Sequence, residues 1–129
     1  MALRLLIVDD NLQFLEAAQA LLEREGLSVV AVASTGDDAV RSARELRPDV
    51  TLVDVDLGDE SGFDLARKLT QSADAAPAPV VLISAYPEAD LRDLIDASPA
   101  VGFLPKARLS RRAIHDVVAG RGISGPRET

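Results

Sequence analysis

The stretch Asp49-Val50-Thr51-Leu52-Val53-Asp54-Val55-Asp56-Leu57 decides how this chain is read. Val50, Leu52 and Val53 lie between turn-formers at Pro48 and Gly58, the pattern of a short strand buried on both faces. A carboxylate at the end of such a strand is costly to bury unless something compensates it. In open α/β sheets the carboxyl ends of strands are where ligands bind. Asp54 therefore stands where a buried strand opens into a loop, and its surroundings decide what it does.

Working outward, the same alternation repeats along the chain. Leu3 to Val8 is a continuous apolar run that ends in Asp9-Asp10-Asn11. These three residues are good helix caps, and Leu12 to Glu25 follows with Leu15, Ala18, Leu21 and Leu22 at helical spacing, stopped by Gly26. Ser28 to Ala33 reads as a second strand, and Ser34-Thr35-Gly36-Asp37 opens a helix to about Leu46 that Pro48 closes. Beyond Asp54, the loop Gly58 to Gly62 leads into a helix from about Phe63 to Gln71. Ala73 to Pro79 is a small-residue connector, expected to be mobile, and Val80 to Ile83 is the fourth strand, ending at Ser84-Ala85. A helix from Pro87 or Glu88 to about Ala97 precedes Pro99. Val101 to Leu104 is the fifth strand, ending at Pro105-Lys106, and Ser110 caps a last helix to about Ala119.

Five strand–helix pairs imply a doubly wound parallel sheet with helices on both faces and right-handed crossovers. One domain over residues 1–119 with a loose tail over 120–129 is expected. The apolar residues, 47% of the chain against 3% aromatic, make a core of Leu, Val, Ile and Ala. Cysteine is absent, which excludes disulfides and thiolate metal sites and suits a reducing compartment. A net charge of -7 argues against nucleic acid as the main partner. The apolar start is too short for a membrane span, carries Arg4 and runs into Asp9-Asp10, so a signal peptide is not expected and a cytoplasmic location is.

In a parallel sheet the residues that follow each strand share one edge. Asp9 and Asp10, Asp54, Ser84 and Lys106 can therefore converge although they are scattered in sequence. Three clustered carboxylates repel, and an oxygen-only ligand set suits a hard cation such as Mg²⁺, which takes one or two carboxylates and a phosphoryl oxygen. A carboxylate can itself be the nucleophile and form an aspartyl phosphate. Ser84 and Lys106 would then hold the remaining phosphoryl oxygens. From the residues alone, the reading is Mg²⁺-dependent phosphoryl acceptance on Asp54.

These residues carry a resemblance. The runs Leu-Leu-Ile-Val-Asp-Asp (5–10), Val-Asp-Val-Asp-Leu (53–57), Ser61-Gly62, Ile83-Ser84-Ala85 and Gly-Phe-Leu-Pro-Lys (102–106) resemble the receiver domain of two-component response regulators. Intervals of 44, 30 and 22 residues separate Asp10, Asp54, Ser84 and Lys106, as in that family. The resemblance implies a flavodoxin-like sheet in the order 2-1-3-4-5. It implies Asp10 as direct Mg²⁺ ligand, Asp9 holding metal-bound water, Asp54 as phosphoacceptor and metal ligand, and Asp56 lending its backbone carbonyl. Ser84 would be the switch hydroxyl, Phe103 the switch aromatic and Lys106 the phosphoryl-pairing lysine, with the side chains of Asp56 and Tyr86 flanking the phosphoryl group. The implied partners are a histidine kinase or phosphotransfer protein and a downstream protein. The only chemistry implied is self-phosphorylation and self-dephosphorylation, and a homodimer through the last two helices is left open.

Two departures stand out. A proline, commonly after a cis bond, usually follows the lysine in that family, whereas here Ala107 follows and Pro105 precedes. A cis bond without proline costs roughly 2.5–4 kcal/mol, so Lys106–Ala107 is expected trans. The loop is also very acidic, with Asp56, Asp59, Glu60 and Asp64, and the sign of its effect on phosphoryl lifetime is open. Competing readings are simple. Asp9 and Asp10 serve as helix caps, Asp54 and Lys106 form a structural ion pair, Ser84 is turn chemistry, and Phe103 is core. His115 and the cluster Arg108, Arg111 and Arg112 read as solvated surface. Two alternative functions are a phosphorylation-independent interaction domain and a haloacid-dehalogenase-type phosphatase, whose nucleophile motif Asp54-Val55-Asp56 resembles. The phosphatase lacks its downstream motifs here.

Overall fold

The computed structural model describes residues 2–71 and 77–120. The strands are β1 (Arg4–Val8), β2 (Ser28–Ala33), β3 (Val50–Asp54), β4 (Val80–Ser84) and β5 (Gly102–Pro105). They alternate with the helices α1 (Leu12–Arg24), α2 (Gly36–Leu46), α3 (Gly62–Thr70), α4 (Glu88–Asp96) and α5 (Arg111–Val118). The strands form one parallel sheet in the order β2-β1-β3-β4-β5, the flavodoxin-like arrangement expected from the sequence.

Strand side chains alternate between faces, so each central strand feeds two cores. Leu5 and Ile7 of β1 and Val50 and Leu52 of β3 pack with Leu15, Ala18 and Leu22 of α1 and Ala113, Ile114 and Val117 of α5. Leu6, Val8 and Val53 pack on the other face with Ala39 of α2 and Phe63, Leu65, Ala66 and Leu69 of α3. Helix α4 has no fully buried residue and rests on this second core through Leu91 and Ile95.

The helix starts follow their caps. The side chains of Asn11, Thr35, Ser61 and Ser110 accept the amides of Phe14, Asp38, Phe63 and Ala113, supplying oxygen to otherwise unpaired N–H groups. Gly26, at φ 97°, follows the cap of α1, a left-handed position that costs glycine little.

Several boundaries differ from the sequence reading. Helix α3 starts at Gly62 and ends at Thr70. Strand β5 begins at Gly102, because Val101 is half exposed and joins the sheet only through its amide to Val80 O. The loop after Asp54 is an antiparallel hairpin, Asp56–Leu57 paired with Glu60–Ser61, and Lys106–Arg108 forms a 3₁₀ turn. The Lys106–Ala107 bond is trans, as expected, since no cis bond occurs among the described residues. Of the connector and tail, residues 73–76 and 121–129 lie outside the described residues.

Candidate functional site

The sheet register brings the strand ends level. Val8 pairs with Val53, so Asp9 stands beside Asp54. Asp54 pairs with Ile83 and Ser84 with Pro105, which puts Ser84 and Lys106 on the same rim. Carboxylate oxygens of Asp9, Asp10 and Asp54 all lie within 4.8 Å of one another. Asp9 is fully buried, Asp54 is nearly so, and Asp10 is exposed.

Lys106 is the cation of this group. Its Nζ lies 2.6 Å from Asp9 Oδ2 and donates to Asp54 Oδ2 at 3.2 Å. It also sits 4.3 Å from the centroid of the Phe14 ring, whose negative face favours an ammonium. The short Asp9 contact is a buried ion pair, and the other Asp9 oxygen, Oδ1, accepts the Asn11 amide at 2.9 Å.

One lysine shared by two buried acids explains opposite demands on protonation. Burial pushes the Asp54 carboxyl up, the Asp9 carboxylate pushes further, and Lys106 only partly offsets them, leaving it at about 6 against an ordinary 3.8. For Lys106, burial pulls downward, but hydrogen bonding and charge from Asp9 and Asp54 outweigh it and raise the ammonium above its ordinary 10.5. Lys106 stays charged throughout the neutral range.

Three carboxylates against one ammonium leave an excess of negative charge at a rim whose ligand atoms are all oxygen. Three carboxylates with oxygens within 4.8 Å of one another form a donor set that fits a hard divalent cation, and an exposed Asp10 leaves such an ion a route from solvent.

The other predicted residues divide. Ser84 is buried at the end of β4, but its hydroxyl oxygen accepts the Tyr86 amide at 2.8 Å. Phe103 is buried in the second core and Tyr86 is exposed. The Asp56 amide donates to Asp54 Oδ1 at 3.3 Å, while its own Oδ1 accepts the Gly58 amide at 3.1 Å. The structure thus joins Asp9, Asp10, Asp54, Asp56 and Lys106 directly, and holds Ser84 and Tyr86 to each other. Sequence reasoning missed Phe14. Its signal was spacing, one helical turn after Asp10 at the start of a helix facing the strand ends.

Comparison with known proteins agrees with this geometry. A family model described as the response regulator receiver domain matches residues 5–119. Protein PilH of Pseudomonas aeruginosa is 37% identical over 81 residues, 63% of this chain and 66% of PilH. Response regulator GacA of the same organism is 34% identical over 128 residues, 96% of this chain and 59% of GacA. Among solved structures, a two-component response regulator of the LuxR family from Aurantimonas superposes with a TM-score of 0.78 at 28% identity, covering 93% of this chain and 87% of that one. The chain spans 27% to 66% of the length of several curated relatives it matches. No described helix is long and apolar enough to cross a membrane.

Proposed function

Because the chain belongs to the response regulator receiver domain family, we propose that it accepts a phosphoryl group on Asp54 in a Mg²⁺-dependent reaction and thereby switches its binding to a partner protein. The observation that carries this reading is Lys106 Nζ shared between Asp9 Oδ2 at 2.6 Å and Asp54 Oδ2 at 3.2 Å, with Asp10 alongside. The family assignment favours this function over a haloacid-dehalogenase-type phosphatase.

In the proposed step an oxygen of ionised Asp54 attacks phosphorus as the bond to the donor breaks, and the donor atom leaves with that bond's electron pair. With its carboxyl at about 6, Asp54 is mostly ionised at pH 7 and above. Bound Mg²⁺ would neutralise charge that develops on the phosphoryl oxygens, held by Asp10, Asp54 and the Asp56 carbonyl, with Asp9 bonded to its water. Lys106 gives up its contact with Asp54 Oδ2 and pairs with a phosphoryl oxygen, an exchange of one charged acceptor for another. The Ser84 hydroxyl, now tied to the Tyr86 amide, turns to a second phosphoryl oxygen. Phe103 then repacks from the second core, which changes the surface of α4, β5 and α5. Asp56 and Tyr86 flank the group and set its lifetime.

A histidine kinase or phosphotransfer protein supplies the phosphoryl group, and another protein receives the signal. Nucleic acid and membrane have no part in this domain's action. The receiver unit is proposed to run over residues 1–119, close to the matched 5–119. The test is incubation with acetyl phosphate and Mg²⁺, read by intact mass. One added phosphoryl group on the native protein and none on Asp54→Asn supports the proposal. Equal labelling of Asp54→Asn overturns it.

A further inference from the structure

The hairpin after β3 is fastened at both ends. At its near end the Asp56 amide bonds Asp54 Oδ1 and the Gly62 amide bonds Val55 O at 2.9 Å. At its tip Gly58, at φ 77°, comes so close to Asp10 that an added Cβ would lie 3.0 Å from Asp10 Oδ2. On its outer strand, Glu60 reaches to a different part of the fold and accepts the Gly36 amide through Oε1 at 2.7 Å.

Gly36 is the first residue of α2, where amides have no partner within the helix. Thr35 caps the Asp38 amide, and the Glu60 carboxylate takes the Gly36 amide, in the charge sense that a helix N-terminus favours. The strand before α2 is itself tied to the acids, since the Asp9 amide donates to Ala33 O at 3.0 Å. A chain of bonds runs from Asp9 through β2 and Gly36 to Glu60, then along the hairpin to Gly58, which lies close against Asp10.

We infer that Glu60 is a positioning residue: its bond to the Gly36 amide holds the Asp56–Ser61 hairpin against Asp10 and so sets the affinity of the acid cluster for Mg²⁺. This rests on the proposed cation role of Asp9, Asp10 and Asp54. Glu60 acts through Asp56 and Gly58 and touches neither the ion nor the phosphoryl group. Groups that orient metal ligands from behind typically change metal affinity by roughly 10–100-fold when removed.

The fold supplies two independent ways to break the bond. Glu60→Ala removes the acceptor. Gly36→Ala leaves Glu60 and all charges in place, but its Cβ would come within 2.5 Å and 2.8 Å of the two Glu60 oxygens. The carboxylate is the free end of a flexible chain and swings aside, and alanine suits a helix. Glu60→Gln keeps an acceptor oxygen and loses the charge.

The experiment measures Mg²⁺ affinity by calorimetry and amide hydrogen exchange of Asp56, Gly58 and Gly62 without metal, on the native protein, these three variants and Asp54→Asn. Expected are roughly ten-fold weaker Mg²⁺ binding and faster hairpin exchange in both Glu60→Ala and Gly36→Ala, with Glu60→Gln within about three-fold of native. The combined Glu60→Ala/Gly36→Ala protein should be no weaker than either single one. Native affinity in Gly36→Ala, or a loss in Glu60→Gln equal to that in Glu60→Ala, overturns the inference while leaving the Mg²⁺ reading intact. Absence of saturable Mg²⁺ binding by the native protein, indistinguishable from Asp54→Asn, overturns both.

Discussion

Substituting Asp54→Asn exchanges a buried carboxylate for a neutral amide of nearly the same shape. Asp54 is 6% exposed, and its folded carboxyl titrates at about 6 against an ordinary 3.8. An acid whose pKa is raised by folding binds its proton more tightly in the folded state. The ionised form therefore costs stability that is absent below about pH 4, grows as pH rises toward 6 and is complete above it. About two units at 1.36 kcal/mol each give up to about 3 kcal/mol. The asparagine side chain avoids this cost and keeps an oxygen for the Asp56 amide. Metal-free Asp54→Asn is expected to be more stable than the native protein by up to about 3 kcal/mol at pH 8, or roughly 10 °C in Tm, with the gap closing by about pH 4. Urea unfolding at pH 4.5, 6 and 8 in EDTA measures it. Saturating Mg²⁺ should narrow the gap by stabilising the native protein, by about 2.7 kcal/mol at a hundred-fold excess over Kd. If Asp54→Asn is less stable at pH 8, or its advantage does not change with pH, the charge argument for this site is refuted.

Lys106→Ala leaves two buried acids with no cation, since the same ammonium serves Asp9 and Asp54. It should cost roughly 3 kcal/mol or more in metal-free protein at pH 8 and less at pH 5, where Asp54 is mostly protonated and only Asp9 is left without its cation, as read by urea unfolding at the two pH values. Gly62→Ala places a Cβ against the Asp54 carbonyl and within 2.7 Å of Val55 Cα. These are backbone atoms that cannot turn aside, so a loss of roughly 3 kcal/mol or more is expected, with chemical-shift changes centred on Asp54 to Gly62. Native stability and native shifts in Gly62→Ala would contradict the close approach.

The elements that were legible in the sequence are those whose signal is local. β2, α2 and the caps at Asn11 and Ser110 follow from a few neighbouring residues. So did the strand-end positions of Asp9, Asp54, Ser84 and Lys106, because parallel topology turns five strand ends into one rim. The hairpin was not legible, since Asp56-Leu57 and Glu60-Ser61 are too short for an alternation of apolar residues. The sharing of Lys106 between Asp9 and Asp54, and its seat on Phe14, depend on how α1 and the turn after β5 pack. No pattern links Gly36 to Glu60 across 24 residues. At Ser84 the residue type alone fits both turn chemistry and a phosphoryl contact, and its hydroxyl oxygen here accepts the Tyr86 amide.

In the proposed reaction an oxygen of the Asp54 carboxylate, held near Lys106, Asp9 and Asp10, receives phosphorus. Borohydride reduction after treatment with acetyl phosphate and Mg²⁺ marks the residue directly, because it converts an aspartyl phosphate to homoserine. Peptide mapping is predicted to find that conversion at position 54 alone, dependent on Mg²⁺ and strongly reduced in Lys106→Ala. Conversion at Asp10 or Asp56 instead, or none at all after full exposure to the donor, would contradict the account.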